Sequence, residues 1–469
     1  MLKISSTPLA RSFGLTPIAA AMVLVLSGCS FIPTYERPAA PVAPSLDTGG
    51  VAVDSATPAT EIAWRDFVQD ARLRELIALA IQNNRDLRLA TLNIEQVRAQ
   101  YQIQRAGLFP AVNAGVTGSR QSSGDDTITN AYTAGLTMSG WEIDFFGRVA
   151  SLKEAALAQY LASEEARNAA QTSLVAAVAS SWLSLQTSDE LLALTVQTLK
   201  TRQDSLHLTQ LRFDSGVSSA LDLRQAESLL ASAQGTLAQL QRQRSLDLNA
   251  LTLLAGQPIP SSVLPTSGAS LQQFSAVPVG LSSEVLIQRA DIRAAEHQLI
   301  AANANIGAAR AAFFPRISLT ASLGTASDEL SGLFKSGSWG FSLAPQALLP
   351  IFDAGRNRAG LQVAKAQRDI AVAQYEKAIQ TAFREVSDAL AGRATLVRQG
   401  EALKAQADAE SERFRLAELR YRNGIASFLD VLDAQRSLFT TQQALSQTRL
   451  VQRQNQVALY KALGGGWKP

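Results

Sequence analysis

One cysteine and two histidines in 469 residues leave little material for redox or metal chemistry. With Cys29 alone, no internal disulfide can form. His207 and His297 each stand by themselves in a helical pattern, with no carboxylate pair, metal-ligand cluster or phosphate-binding glycine loop beside them. Both read as packing residues, and neither a catalytic residue nor a metal or cofactor is expected. A net charge of +3, thinly dispersed, argues against a nucleic-acid partner. No run of eighteen apolar residues occurs, which excludes a membrane-spanning helix. Aromatics make up only 6% of the chain, while Ala, Ser, Gln and Leu abound, a composition suited to long, closely packed helices. An apolar content of 46% with 18% charged residues excludes a disordered chain.

What is present begins with an export signal over residues 1–28. Lys3 and Arg11 form a basic start, and Ile18 to Leu26 form an apolar stretch too short to cross a bilayer. Leu26-Ser27-Gly28-Cys29 follows and resembles the bacterial lipobox, whose cysteine is lipidated and becomes the first residue after cleavage. The bland reading is an ordinary signal peptide with an incidental thiol; the place of Cys29 right behind the apolar run favours lipidation. Ser30 stands where an inner-membrane retention signal would have Asp, so the resemblance points to the outer membrane. Acyl chains there would hold the chain to lipid, at about 0.8 kcal/mol per buried methylene. Residues 29–70, rich in Pro and Ala, read as an extended arm.

Beyond the arm, one unit occurs twice. Leu108-Phe109-Pro110 recurs as Phe313-Phe314-Pro315, and Asn84-Arg85-Asp86-Leu87-Arg88 loosely as Arg289-Ala290-Asp291-Ile292-Arg293. Phe146-Gly147-Arg148 recurs as Ala354-Gly355-Arg356, and Leu211-Arg212-Phe213-Asp214-Ser215-Gly216 as Leu419-Arg420-Tyr421-Arg422-Asn423-Gly424. Leu221-Asp222 then matches Leu429-Asp430. Offsets of about 205 to 208 residues mean tandem duplication of a whole fold unit, not a solenoid. The repeats span 71–256 and 284–463, with a linker at 257–283 and a tail at 464–469. Each holds a moderate helix (Leu73 to Ala106, Val285 to Ala312), two short alternating segments, a very long helix and a shorter returning one. Val149 to Ser215 contains neither Gly nor Pro, so one helix can run about 65 residues, or about 100 Å. Gly216 stops it as a C-cap would, and Asn423-Gly424 makes the second turn. Leu174, Val178, Ser181, Leu185, Ser188, Leu192, Thr195 and Leu199 form a heptad seam whose small members allow close approach of neighbouring helices.

The short segments bear on the medium. Arg316 to Leu323 alternates polar and apolar without error, as a strand between two media should. Val112, Ala114 and Val116 alternate more weakly; Tyr132, Ala134, Leu136 and Met138 do so in the next segment, and Trp339, Phe341 and Leu343 in the fourth. Polar loops (121–130, with Asp125-Asp126, and 325–338, with Asp328-Glu329) join each pair. The segments have roughly the nine to eleven residues of a tilted membrane strand. Four strands cannot close a barrel, and lipid forbids open edges. The chain must share its barrel with copies of itself, or the strands form two hairpins of a soluble α+β domain.

These features together make the chain similar to TolC-type outer-membrane efflux proteins, specifically the lipidated OprM-like branch serving resistance-nodulation-division pumps. The most specific matches are the lipobox at Cys29, the duplicated hairpin, Tyr421-Arg422-Asn423-Gly424, Phe428 through Arg436 (FLDVLDAQR) and the ending Ala462-Leu463-Gly464-Gly465-Gly466-Trp467. The resemblance implies a mainly α fold with a small β portion. It implies a homotrimer whose duplicated hairpins form a periplasmic α-barrel, and whose strands share one twelve-stranded transmembrane β-barrel. It further implies a passive, gated duct that an inner-membrane pump and a periplasmic adaptor dock against and open. In that family a Leu and an Asp one helical turn apart on the second returning helix point into the closed pore. Their matches are Leu429 and Asp433, with Arg436 placed to tether the closed hairpins; positions four apart share a helix face. Three carboxylates around a narrow pore repel, making closure metastable. The plain alternative packs Leu429 in the coiled coil and leaves Asp433 as a solvated carboxylate. The first hairpin departs from the pattern, with Gln225 opposite Asp433. Gly216, Val217, Gly424 and Ile425 would form the tips that meet the adaptor. The competing function is a periplasmic adaptor or coiled-coil scaffold lipoprotein, which predicts one hairpin flanked by lipoyl-like and barrel domains.

Overall fold

The computed structural model describes residues 30–45, 61–123, 127–265, 274–277 and 283–468. The export signal, Cys29 and Asp125-Asp126 lie outside the described residues. In chain order the elements are α1 (Trp64–Phe67), α2 (Ala71–Asn83), α3 (Arg85–Ala106), β1 (Val112–Ser123), β2 (Thr127–Glu142), α4 (Arg148–Asp214) and α5 (Ala220–Ala255). The second half repeats the order with α6 (Ala290–Ala311), β3 (Arg316–Ser327), β4 (Trp339–Leu348), α7 (Arg356–Arg422) and α8 (Phe428–Ala462). The two long helices, α4 and α7, have the same length, 67 residues.

The first moderate helix, expected unbroken from Leu73 to Ala106, is two helices parted at Asn84, whose backbone is extended (φ −61°, ψ 131°). The side chain accounts for the break. Its Oδ1 accepts from the Leu87 N–H, and its Nδ2 donates to the Leu254 carbonyl in the last turn of α5. Arg289, at the corresponding place in the second repeat, donates to the Ala462 carbonyl in the last turn of α8. Two chemically different side chains thus fasten the two returning helices at equivalent carbonyls. Burial works against the Arg289 charge, but hydrogen bonds and charge from Asp291 and Glu385 outweigh it and raise its pKa.

The chain forms two compact units. One (39–94, 163–295 and 374–469) holds both hairpin ends and the larger core. There the seam predicted on α4 is buried or half-buried at every position, with Val178 and Thr195 fully enclosed. Two neighbours enclose it. Asp189 pairs with Arg244 and Ser188 donates to Asp247 on α5; Gln186 accepts from Arg453 and Ser184 from Gln454 on α8. Tyr460 anchors the C-terminal end: its ring stacks on Phe67 at 3.9 Å and its hydroxyl donates to the Ile62 carbonyl. Gly465 lies so close over that ring that any Cβ would collide with it. This accounts for glycine at that position of the tail.

The other unit (1–38, 95–162 and 296–373) holds the sheet and the start of the arm. Described arm residues lie extended along α6: Arg310 donates to the Phe31 carbonyl, Asn303 to the Pro33 carbonyl, and Arg37 pairs with Glu296 at 2.7 Å. The sheet is an antiparallel meander in the order β1-β2-β3-β4. Its register aligns side chains of one kind on each face. Val112, Ala114 and Val116 stand opposite Met138, Leu136 and Ala134; Leu136 and Met138 stand opposite Leu323 and Ala321; these in turn stand opposite Phe341 and Leu343. The other face carries Asn113, Thr117, Thr133, Thr137, Ser322 and Ser342, with glycines aligned across all four strands (Gly115, Gly135, Gly324, Gly340). Gly135 and Gly324 approach so closely that a Cβ on Gly324 would lie 2.3 Å from the Ala134 carbonyl oxygen.

Gly324→Ala should therefore cost about 1–3 kcal/mol by overpacking, seen as a lower thermal midpoint in detergent. Gly235→Ala on α5, where a Cβ meets nothing within 4 Å, should be neutral or stabilising.

Candidate functional site: the hairpin tips and the amphipathic sheet

Both hairpins turn by the same mechanism. The N–H of Gly216 donates to the Phe213 carbonyl and that of Val217 to Arg212; Gly424 and Ile425 donate to Tyr421 and Arg420 in the same way. This is a Schellman motif, which requires a left-handed residue after the helix end. Gly216 and Gly424 both supply it at φ 74°. Val217 and Ile425 follow at 66% and 69% exposure, two large apolar side chains at the tips.

The returning helices open with matched capping boxes. The Ser219 hydroxyl accepts from the Asp222 N–H while the Asp222 carboxylate accepts from the Ser219 N–H; Ser427 and Asp430 repeat the arrangement. The Leu-Asp step shared by the repeats therefore supplies the cap at both tips. The Ser219 hydroxyl, against a small burial cost and helped by the Ser219 N–H and the Ser218 hydroxyl, holds the Asp222 carboxyl below the ordinary carboxylate range.

Of the residues singled out for the gate, Leu429 is half exposed on α8, and Asp433 lies one turn further along. Arg436 reaches Asp433 at 3.4 Å, a bridge within α8 itself. An ion pair from α7 to Asp433 comes from a different residue: Arg413 meets Asp433 at 2.6 Å and also holds Glu410 at 3.2 Å. Sequence reasoning missed Arg413. The signal was available, since residues at similar distances before and after Gly424 must face each other across the turn. In the first hairpin Gln225 stands at the position of Asp433 and its Oε1 has no hydrogen-bond partner.

The two hairpins adhere through an apolar cluster of Ala226, Tyr421, Phe428, Val431 and Leu432. Arg212 lies 4.8 Å over the Tyr421 ring, and Arg202, buried, lies 5.3 Å over Phe439 while donating to the Leu229 carbonyl. A cleft of about 330 Å³ separates α5 from α8, with Arg224 and Gln225 on one wall and Leu429 and Arg436 on the other. Leu429 thus faces a gap between hairpins. His207 is exposed on α4 and His297 half-buried on α6.

Duplicated long hairpins, each joined to half of a sheet with one apolar and one polar face, are the frame on which the chain compares with known proteins. The sequence model described as "Outer membrane efflux protein" matches residues 76–257 and 281–465, and the chain belongs to that family. It is 48% identical over 458 residues to the probable efflux pump outer membrane protein TtgC of Pseudomonas putida, covering 96% of this chain and 95% of the relative. It is 47% identical over 464 residues to the outer membrane protein OprJ of Pseudomonas aeruginosa, covering 97% and 96%. The solved MtrE outer membrane channel of Neisseria gonorrhoeae, in its open state, superimposes with a TM-score of 0.87 at 43% identity, covering 94% of this chain and 99% of that one. A crystal structure of CusC gives 0.85 at 39% identity, covering 93% and 100%. The protein is an outer-membrane efflux channel, a transport component and not an enzyme. The adaptor or scaffold reading finds no support.

Ser219→Ala and Ser427→Ala should each remove about 0.5–2 kcal/mol from their tips, measured as faster amide exchange in the first turns of α5 and α8. Because the Asp222 pKa is depressed, its contribution is complete above the ordinary carboxylate range and disappears as pH falls through the lowered value. Protection at the first tip should show that acid-side loss in the wild type and lack it in Asp222→Asn.

Proposed function

We propose that three copies of the chain assemble into one duct that conducts cargo passively from an inner-membrane pump, through a periplasmic adaptor, to the exterior. The observation that carries this reading is the four-stranded sheet. One face is apolar and exposed, with Trp339 at 69% and Phe341 at 82%, while β1 and β4 each pair along one side only. Hydrocarbon tolerates the apolar face but not the unpaired edges, so closure needs strands from other copies. Three copies of four strands would give a twelve-stranded barrel with the Thr-, Ser- and Gly-rich face inward. The relatives are called efflux pump outer membrane proteins, which supports a pump and adaptor as partners. Val217 and Ile425, exposed at tips held by Gly216 and Gly424, suit docking of the adaptor.

In this reading the export signal is removed after residue 28 and Cys29 carries the lipid. Phe31, two residues on, stacks at 4.6 Å on Phe314 next to the start of β3, which supports an anchor beside the membrane strands. The gate is the second hairpin. Leu429 contributes an apolar ring and Asp433 an acidic ring, and Arg413 and Arg436 offset the repulsion among the carboxylates. Exposed ion pairs of this kind contribute about 0–1 kcal/mol each, a size suited to a latch that a partner must release. Specificity for cargo belongs mainly to the pump.

Planar-bilayer conductance of the purified protein tests the reading. Wild type should give small, mostly closed currents, and Asp433→Ala, Arg413→Ala and Arg436→Ala should raise them. Arg413→Ala should exceed Arg436→Ala, because Arg413 reaches Asp433 from α7 whereas Arg436 bridges it within α8. A preparation that never conducts and runs as a single chain would refute the trimeric duct.

A further inference from the structure

The duplication builds one kind of joint twice, and the single chain completes it only once. In the completed joint, the segment between β2 and α4 is covered by the Phe-Pro step of the second repeat. Phe146 stacks on Phe314 with ring centroids 5.0 Å apart, and the Ile143 N–H donates to the Ile317 carbonyl at 2.9 Å. Glu142 bridges Arg148 and Arg316 at 2.7 and 2.6 Å. The corresponding segment between β4 and α7, Leu349-Pro350-Ile351-Phe352, is bare: Ile351 is 93% exposed and Phe352 91%. The first repeat also carries the covering piece, Leu108-Phe109-Pro110, and its aromatic is left open, Phe109 being 64% exposed. A socket without a plug and a plug without a socket stand on the same chain.

We propose that Phe109 of one copy caps Ile351 and Phe352 of the next, as Phe314 stacks on Phe146 within the chain. This rests on the homotrimer reading and names its contact at the base of the strands. The occupant is a second copy because the internal joint supplies the template and because β1 and β4, the edges that must meet between copies, lead directly into these two segments. The chemistry differs between the joints. Ala111 and Pro350 take the places of Arg316 and Glu142, so the ion pair has no counterpart between copies. The aromatic of the socket also moves, from Phe146 (Ala354 at the equivalent place) to Phe352. The contact between copies therefore rests on apolar side chains rather than on that ion pair, and salt should leave it unweakened.

Full-length chains carrying Phe109→Cys and chains carrying Phe352→Cys, co-expressed and treated with a short bis-maleimide in membranes, test the contact. A denaturing gel should show a band at twice the chain mass in the mixture only. Chains carrying both substitutions should link into a ladder ending at three. Particles of trimer size without any link would overturn the contact while leaving the trimer standing. Single-chain size without a link would remove both. A link in either singly substituted sample, or one confined within a chain, would also overturn the pairing.

Discussion

A backbone N–H or C=O in hydrocarbon has no water to bond, so every strand edge in a membrane must meet another strand. In the duct proposed above, β1 and β4 present that demand on a four-stranded sheet that does not meet it by itself. Much else follows from this one constraint. The apolar residues of four strands fall on one face because the register holds them there, and a slip of one residue would turn Phe341 and Leu343 to the opposite face. The close approach of Gly135 and Gly324 is available only on the opposite face, where no large side chain intervenes.

At the hairpin tips carboxylates with similar sequence surroundings do separate jobs. Asp222 and Asp430 are occupied by their own helix starts, and their partners are backbone amides and serine hydroxyls. Asp433, one turn further along, is bound only by arginines and remains exposed. The first kind fixes the turn. The second is free to exchange partners if the hairpins move, and the absence of an acid at Gln225 confines that freedom to one hairpin of the pair.

How much of this was legible in the sequence depended on the range of the interaction. The long helices, their stops at Gly216 and Gly424, and the alternation from Arg316 to Leu323 are local patterns and could be read directly. The break at Asn84 was legible only in part: an asparagine capping the helix that follows is a local signal, but the Leu254 carbonyl its amide also holds lies 170 residues away. The pairing of Arg413 with Asp433 lay between these cases: counting outward from the turn would have found it. The loose match of Asn84 to Arg289 gained its meaning only when both were seen holding the ends of returning helices, a role that residue identity conceals.

The equal lengths of α4 and α7 bear on how such a chain can change over time. Adding one residue to an α-helix advances everything beyond it by about 1.5 Å and turns it by about 100°. An insertion in one long helix alone would rotate its tip, its capping box and its returning helix away from the cluster around Tyr421. Lineages of this chain should therefore gain or lose residues in the long helices by paired events, one in each repeat. Unmatched insertions should be confined to the loops beyond the strands, where no partner helix keeps count.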